Sequence, residues 1–157
     1  MTLHYPHAHA PENGALTEVA AGVFWLRMPL PFQLDHINLW LLRDGDGWVI
    51  VDTGFPDDAV RETWTKIIDG LDGPVKRLIV THFHPDHLGL ATWLMEKTGA
   101  PLSMTTGEFL TAHAVWHEFG GHGARFMVEQ FRQHGLGANL LAKFEQRGSG
   151  YRKAVPS

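Results

Sequence analysis

The stretch Thr81–Leu88 reads Thr-His-Phe-His-Pro-Asp-His-Leu, and it limits what the rest of the chain can be. Three histidines and one aspartate fall within the six residues His82–His87. Imidazole nitrogen and carboxylate oxygen are both ligands for zinc-like metals. In an extended segment successive side chains alternate sides, so His82, His84 and Asp86 would project the same way. Pro85 biases His84 toward an extended conformation and so favours that alternation. A helix predicted from about Asp86 sets His87 on its first turn, facing a second metal position. The stretch can then offer two ligands to one metal and two to a neighbour. The simpler alternative is a surface histidine cluster, or a helix start with Asp86 as N-cap. Four donor residues at this density favour the metal.

Composition narrows the setting. A chain of 157 residues is long enough for one domain with a real core. Hydrophobic content of 44% against 19% charged residues is an ordinary globular balance. There is no cysteine, so any metal must sit on His, Asp or Glu. No apolar run approaches membrane-spanning length, and Met1–Pro11 carries no signal-peptide core. A cytoplasmic protein without a membrane partner is expected. Net charge is −4, with 12 acidic and 6 basic residues in Met1–His87 and 5 and 7 in Leu88–Ser157. Neither part is strongly basic, which weighs against a nucleic-acid partner.

Residues 1–16 are polar, contain His4, His7 and His9, and read as a mobile arm. Val19–Leu30 reads as a strand closed by prolines, and His36–Arg43 as a second. Asp44-Gly45-Asp46-Gly47 is a hairpin turn, and Trp48–Asp52 returns as a third strand, the pair forming a sheet edge. Pro56–Leu71 is an amphipathic helix with Val60, Trp64, Ile67, Ile68 and Leu71 on one stripe. Lys76–Val80 is a short buried strand, parallel to Trp48–Asp52 if the helix crosses over. Its end feeds directly into the histidine cluster. A helix over Leu88–Thr98 and a short strand over 99–104 follow. Thr105–Glu118, His122–His134 and Gly137–Arg147 read as three helices, and Arg147–Ser157 as a polar tail.

The pattern His-x-His-x-Asp-His at His82–His87 resembles the metallo-β-lactamase-fold superfamily, and Val-Asp-Thr-Gly at 51–54 is similar to a second signature of that family. The resemblance covers about residues 18–104. It implies an α/β (α+β) fold, the αββα sandwich, with a one- or two-metal centre, usually zinc. It also implies hydrolysis by a metal-bound hydroxide. By the same resemblance His82 and His84 hold a first metal, and Asp86 and His87 a second. Asp52 supports the metal loop from beneath, with a plain turn cap as the alternative. His36 lies before the family-like Asn38 strand and is a further candidate near the metal mouth.

Such a site needs more ligands than one cluster supplies. The family pattern takes later histidines and a bridging aspartate, yet no aspartate follows Asp86. His122, in Gly-Gly-His-Gly, superficially resembles the glycine-flanked third histidine. His113 and His117 are four apart on a helix and so share a face, as a metal pair or as groove histidines. His-Glu-Phe-Gly-Gly-His is not a zincin motif, because two glycines break the helix. The expected organisation is therefore an N-terminal part of a longer protein. Residues 1–16 form an arm, 17–104 the first half of the sandwich with a mixed sheet plus helices, 105–147 a helical insertion or lid, and 148–157 a tail.

The expected function is metal-dependent hydrolysis of a small-molecule substrate: a thioester, a lactone or another small ester or amide. Asp86 would orient the nucleophile or shuttle its proton. Trp116, Phe119 and Phe126 of the insert would shape the pocket. An oxygen-reducing diiron relative is disfavoured, because that branch carries a glutamate where this chain has His84. The alternative from another class is a non-catalytic metal-binding module. In either case the half-sandwich's uncovered apolar face predicts self-association.

Overall fold

The computed structural model describes residues 2–7, 9–147 and 150–156. The strands are β1 (Leu16–Ala20), β2 (Val23–Pro29), β3 (His36–Asp44), β4 (Gly47–Val51), β5 (Val75–Ile79) and β6 (Leu102–Ser103). The helices are α1 (Asp58–Asp69), α2 (Pro85–Leu88), α3 (Ala91–Thr98), α4 (Thr106–Trp116), α5 (Ala124–Gln133), α6 (Ala138–Arg147) and α7 (Tyr151–Ala154), with a 3₁₀ turn at Gly120–His122. No described helix is long and apolar enough to cross a membrane.

The strands form one mixed sheet in the order β1-β2-β3-β4-β5-β6. The first four are antiparallel hairpin neighbours, while β5 and β6 run parallel to β4. The change of sense follows from the connections. Tight turns join β1 to β4, whereas helices must carry the chain back across the sheet before β5 and β6. The fold class expected from the sequence is the one found. One detail differs. The β3–β4 hairpin lies in the middle of the sheet, because β1 and β2 extend it on one side. Just before β1 the Gly14 amide donates to the Arg27 carbonyl at 2.8 Å.

Alternation sorts each strand into two faces. Leu26, Met28, Ile37, Leu39, Leu41, Ile50 and Leu78 point one way and are buried beneath Val60 and Trp64 of α1 and Leu90 and Leu94 around α3. The helix α1 begins cleanly because the Asp57 carboxylate accepts the Ala59 amide at 2.9 Å. The opposite face carries a cross-strand row, Trp25–Trp40–Val51–Ile79, each residue half-buried. A second, smaller core gathers Val80, Leu88, Ala91, Ala112, Tyr151 and Val155 behind the histidine loop.

Candidate metal centre

The parallel pairing of β4 and β5 brings two loops to one edge of the sheet. Val51 and Ile79 are register partners, and the Asp52 amide donates to the Ile79 carbonyl at 2.8 Å. Asp52 and Thr81 therefore leave the sheet side by side, at the carboxyl ends of their strands. Sites in open α/β sheets form at such ends.

Asp52 is 4% exposed and adopts φ 63°, a conformation that non-glycine residues rarely take. Its carboxylate explains why that conformation persists. Oδ1 accepts the Thr81 amide at 2.8 Å, and Oδ2 accepts the Thr81 hydroxyl at 2.8 Å. Oδ2 also lies 2.8 Å from His87 Nδ1. That ring nitrogen is buried and out of line for a hydrogen bond, so it remains without a formal partner. Burial raises the Asp52 pKa; the His87 contact and the Thr81 amide and hydroxyl lower it by more. The net shift is downward, and Asp52 is a carboxylate at neutral pH.

The Thr81 hydroxyl settles a tautomer. It has one proton, and the Asp52 carboxylate can only accept it. His82 Nδ1, 3.0 Å from the same hydroxyl, must then be the donor toward Thr81. His82 Nε2 is then the acceptor, and it faces His84 Nδ1 at 3.1 Å. Burial, then His87 and His84, hold the His82 pKa below its ordinary value, which favours the neutral ring. His84 has φ −60° and ψ 147°, the extended conformation that Pro85 enforces.

His87 completes the group. Its ring centroid is 3.8 Å from that of His82, and its Nε2 lies 3.6 Å from Asp86 Oδ2. Thr53 holds His87 from behind. The Thr53 amide and hydroxyl both donate to the His87 carbonyl, at 2.8 and 2.7 Å, and the hydroxyl accepts the Leu90 amide at 3.1 Å. The Thr53 carbonyl in turn accepts Trp64 Nε1 at 2.8 Å. Two further side chains fix Phe83 between the first histidines. Glu108 Oε2 accepts its amide at 2.9 Å, and the Tyr151 hydroxyl donates to its carbonyl at 2.7 Å.

Imidazole and carboxylate donors are of the kind that zinc takes. Two nitrogens bound to one tetrahedral zinc stand about 3.3 Å apart, given Zn–N distances near 2.0–2.1 Å. The 3.1 Å between His82 Nε2 and His84 Nδ1 is close to that bite. The Asp52 carboxylate, 2.8 Å from His87 Nδ1, stands where a metal-bound histidine takes its support. Among the described residues, no three His, Asp or Glu side chains yet enclose one metal position. The cluster supplies pairs: His82 with His84, and Asp86 with His87.

The other candidates lie apart. His36 is at the start of β3, 2.7 Å from Asp35 Oδ1. His122 is exposed on the 3₁₀ turn. Neither contacts the loop histidines among the described residues. Trp116 lines an apolar cavity behind the loop, while Phe119 and Phe126 are exposed. Sequence reasoning missed Thr53, Thr81, Glu108 and Tyr151 as supports. Glu108 stands three residues after the N-cap Thr105, the signature of a capping box, but its carboxylate reaches Phe83 instead. No local signal marks Tyr151.

A mixed sheet with imidazole and carboxylate donors at its carboxyl edge defines an α/β metal-site fold. The chain belongs to the metallo-beta-lactamase superfamily, whose family pattern matches residues 33–137. It is similar to a beta-lactamase domain protein from Burkholderia ambifaria, with 43% identity, a TM-score of 0.74, and coverage of 98% of this chain and 43% of that one. It is 33% identical over 79 residues to the probable metallo-hydrolase YybB of Bacillus subtilis, covering 45% of this chain and 33% of that protein. It is 34% identical over 96 residues to ribonuclease J 1 of Streptococcus pyogenes serotype M3, covering 52% of this chain and 17% of that protein. The chain thus spans less than half of each of these relatives.

Proposed function

We propose that the chain carries the first part of the metal site of a metal-dependent hydrolase that acts on a small thioester, lactone or other ester or amide. The observation that carries this reading is the pairing of His82 Nε2 with His84 Nδ1 at 3.1 Å, above the buried Asp52 carboxylate to which Thr81 donates. His82 and His84 would hold one zinc, and Asp86 and His87 a second. When bound, zinc polarises the scissile group and makes hydroxide available near neutral pH. The chain's own residues do the rest. Thr81 keeps His82 in the tautomer whose Nε2 is the acceptor. Asp52 and Thr53 hold His87 in place, and Glu108 and Tyr151 pin the Phe83 backbone between the ligands. Asp86, partly exposed beside His87, is placed to accept a proton at its carboxylate.

Nucleic acid ranks below small esters as a substrate, although one relative is named a ribonuclease. Formal net charge is −4, and the loop's charged neighbours Asp52 and Asp86 are acidic. The alternative, a metal-binding module without turnover, is favoured by the absence of a third ligand at either metal position among the described residues. Zinc stoichiometry measured alongside hydrolysis of a generic thioester and lactone separates the two. Tight binding of zinc with turnover supports the enzyme; less than one zinc per chain and no turnover supports the module.

A further inference from the structure

An apolar pocket lies outside the histidine cluster. It is a cavity of about 190 Å³ between α3, α4 and α7. Leu88, Ala91, Met95, Leu102, Phe109 and Trp116 form much of its wall. None of His82, His84, Asp86 and His87 lines it. A space of this size can hold a single aromatic ring. Its polar lining is concentrated on α4, where His113 and His117 stand four residues apart, hence on one face. Their rings lie nearly parallel, 6.3 Å between centroids and 14° between planes. Both are exposed, and among the described residues their ring contacts are with Phe109, Trp116, Phe119 and each other. No hydrogen bond engages their nitrogens there. An apolar chamber with two free N–H donors on one wall matches a ligand that is apolar at one end and an acceptor at the other.

We propose that this cavity binds a small aryl carboxylate, its ring against Leu88, Ala91 and Trp116 and its carboxylate against His113 and His117. The site is distinct from the metal loop but shares a wall with it. Tyr151 lines the cavity, and its hydroxyl donates to the Phe83 carbonyl at 2.7 Å. Binding needs no metal at the loop, so it stands or falls separately from hydrolysis.

The test titrates 3-phenylpropionate and its neutral counterpart 3-phenylpropionamide into the ¹⁵N-labelled full chain. Saturable one-to-one shifts at Ala112, Tyr151 and the Trp116 indole are expected, with the acid bound more tightly than the amide. The double variant His113→Gln/His117→Gln should weaken the acid about tenfold and leave the amide nearly unchanged, as loss of charge-assisted donors predicts. Ala112→Phe should block both ligands by filling the chamber. Met95→Glu, at a partly exposed wall position, should weaken the acid more than the amide. No saturable shift overturns the proposal, as does equal affinity for acid and amide. So does binding that fades as protein concentration rises, which would show a second copy of the chain to be the occupant.

Discussion

Asp52 joins three parts of the site: it directly follows β4, accepts both polar groups of Thr81, and lies against His87. Replacing it with Asn keeps the shape but removes the charge and one accepting oxygen. Asp52→Asn should cost about 2–4 kcal/mol of stability, the range for breaking a buried charged network. Its pH dependence has a defined sign. The folded pKa lies below the unfolded one, so the stabilisation is present above about pH 4 and is lost as pH falls through the folded value. Urea midpoints at pH 7 and pH 3 should differ less in the variant than in the parent chain; an equal difference would remove Asp52 from this role. Thr53→Val deletes a hydroxyl that serves the His87 carbonyl and the Leu90 amide, and should cost about 1–3 kcal/mol by the same measurement. Asp52 was legible from sequence through the Val-Asp-Thr-Gly resemblance, with a turn cap as the alternative. Thr53 was not, because a hydroxyl's partner 34 residues away leaves no local mark.

At the scale of elements, the histidine loop is positioned by what packs behind it. The short helix α2 turns into α3 at Gly89, where an added Cβ would lie 2.6 Å from Pro56 Cδ and collide with the Pro85 carbonyl. Gly89→Ala should therefore destabilise by about 1–3 kcal/mol, the usual cost of overpacking. A melting temperature equal to the parent's would show that the turn can shift freely. On the other side, α7 seats Tyr151 against Phe83. Burial, then the Glu108 charge, pushes its phenol up to about 12. Because the folded value is raised, the neutral phenol stabilises fully below about pH 10 and loses that contribution as pH climbs toward 12. In a Tyr5→Phe background, absorbance of tyrosinate should stay low at pH 10; half-ionisation there would contradict a buried, hydrogen-bonded Tyr151. The amphipathic helices and alternating strands were readable from periodicity, since burial on one face imposes it. The docking of residues 151–154 was not. Arg152 and Lys153 give that segment a polar composition, and only Tyr151 and Val155 enter the core.

At the scale of the molecule, the two faces of the sheet are unequal. One is packed under α1 and α3, while the other carries the half-buried row Trp25–Trp40–Val51–Ile79. Apolar surfaces of this kind are normally contact surfaces. The chain alone should self-associate, and light scattering at rising concentration should show mass above a monomer; a clean monomer throughout would contradict this. The mixed sheet was legible because hairpin turns and crossover helices dictate strand sense. The central place of β3–β4 was not, because strand order depends on partners far along the chain. The cluster His82–His87 was legible because it is local; a donor that folding brings in from a distant segment leaves no such mark.

The central claim is that the four donors of His82–His87 grip metal. Zinc bound per chain, measured by mass spectrometry after dialysis of the parent and of His84→Ala, tests it most directly. The parent should retain zinc and the variant should lose it while keeping its circular dichroism spectrum. Full zinc content in His84→Ala would contradict the assignment.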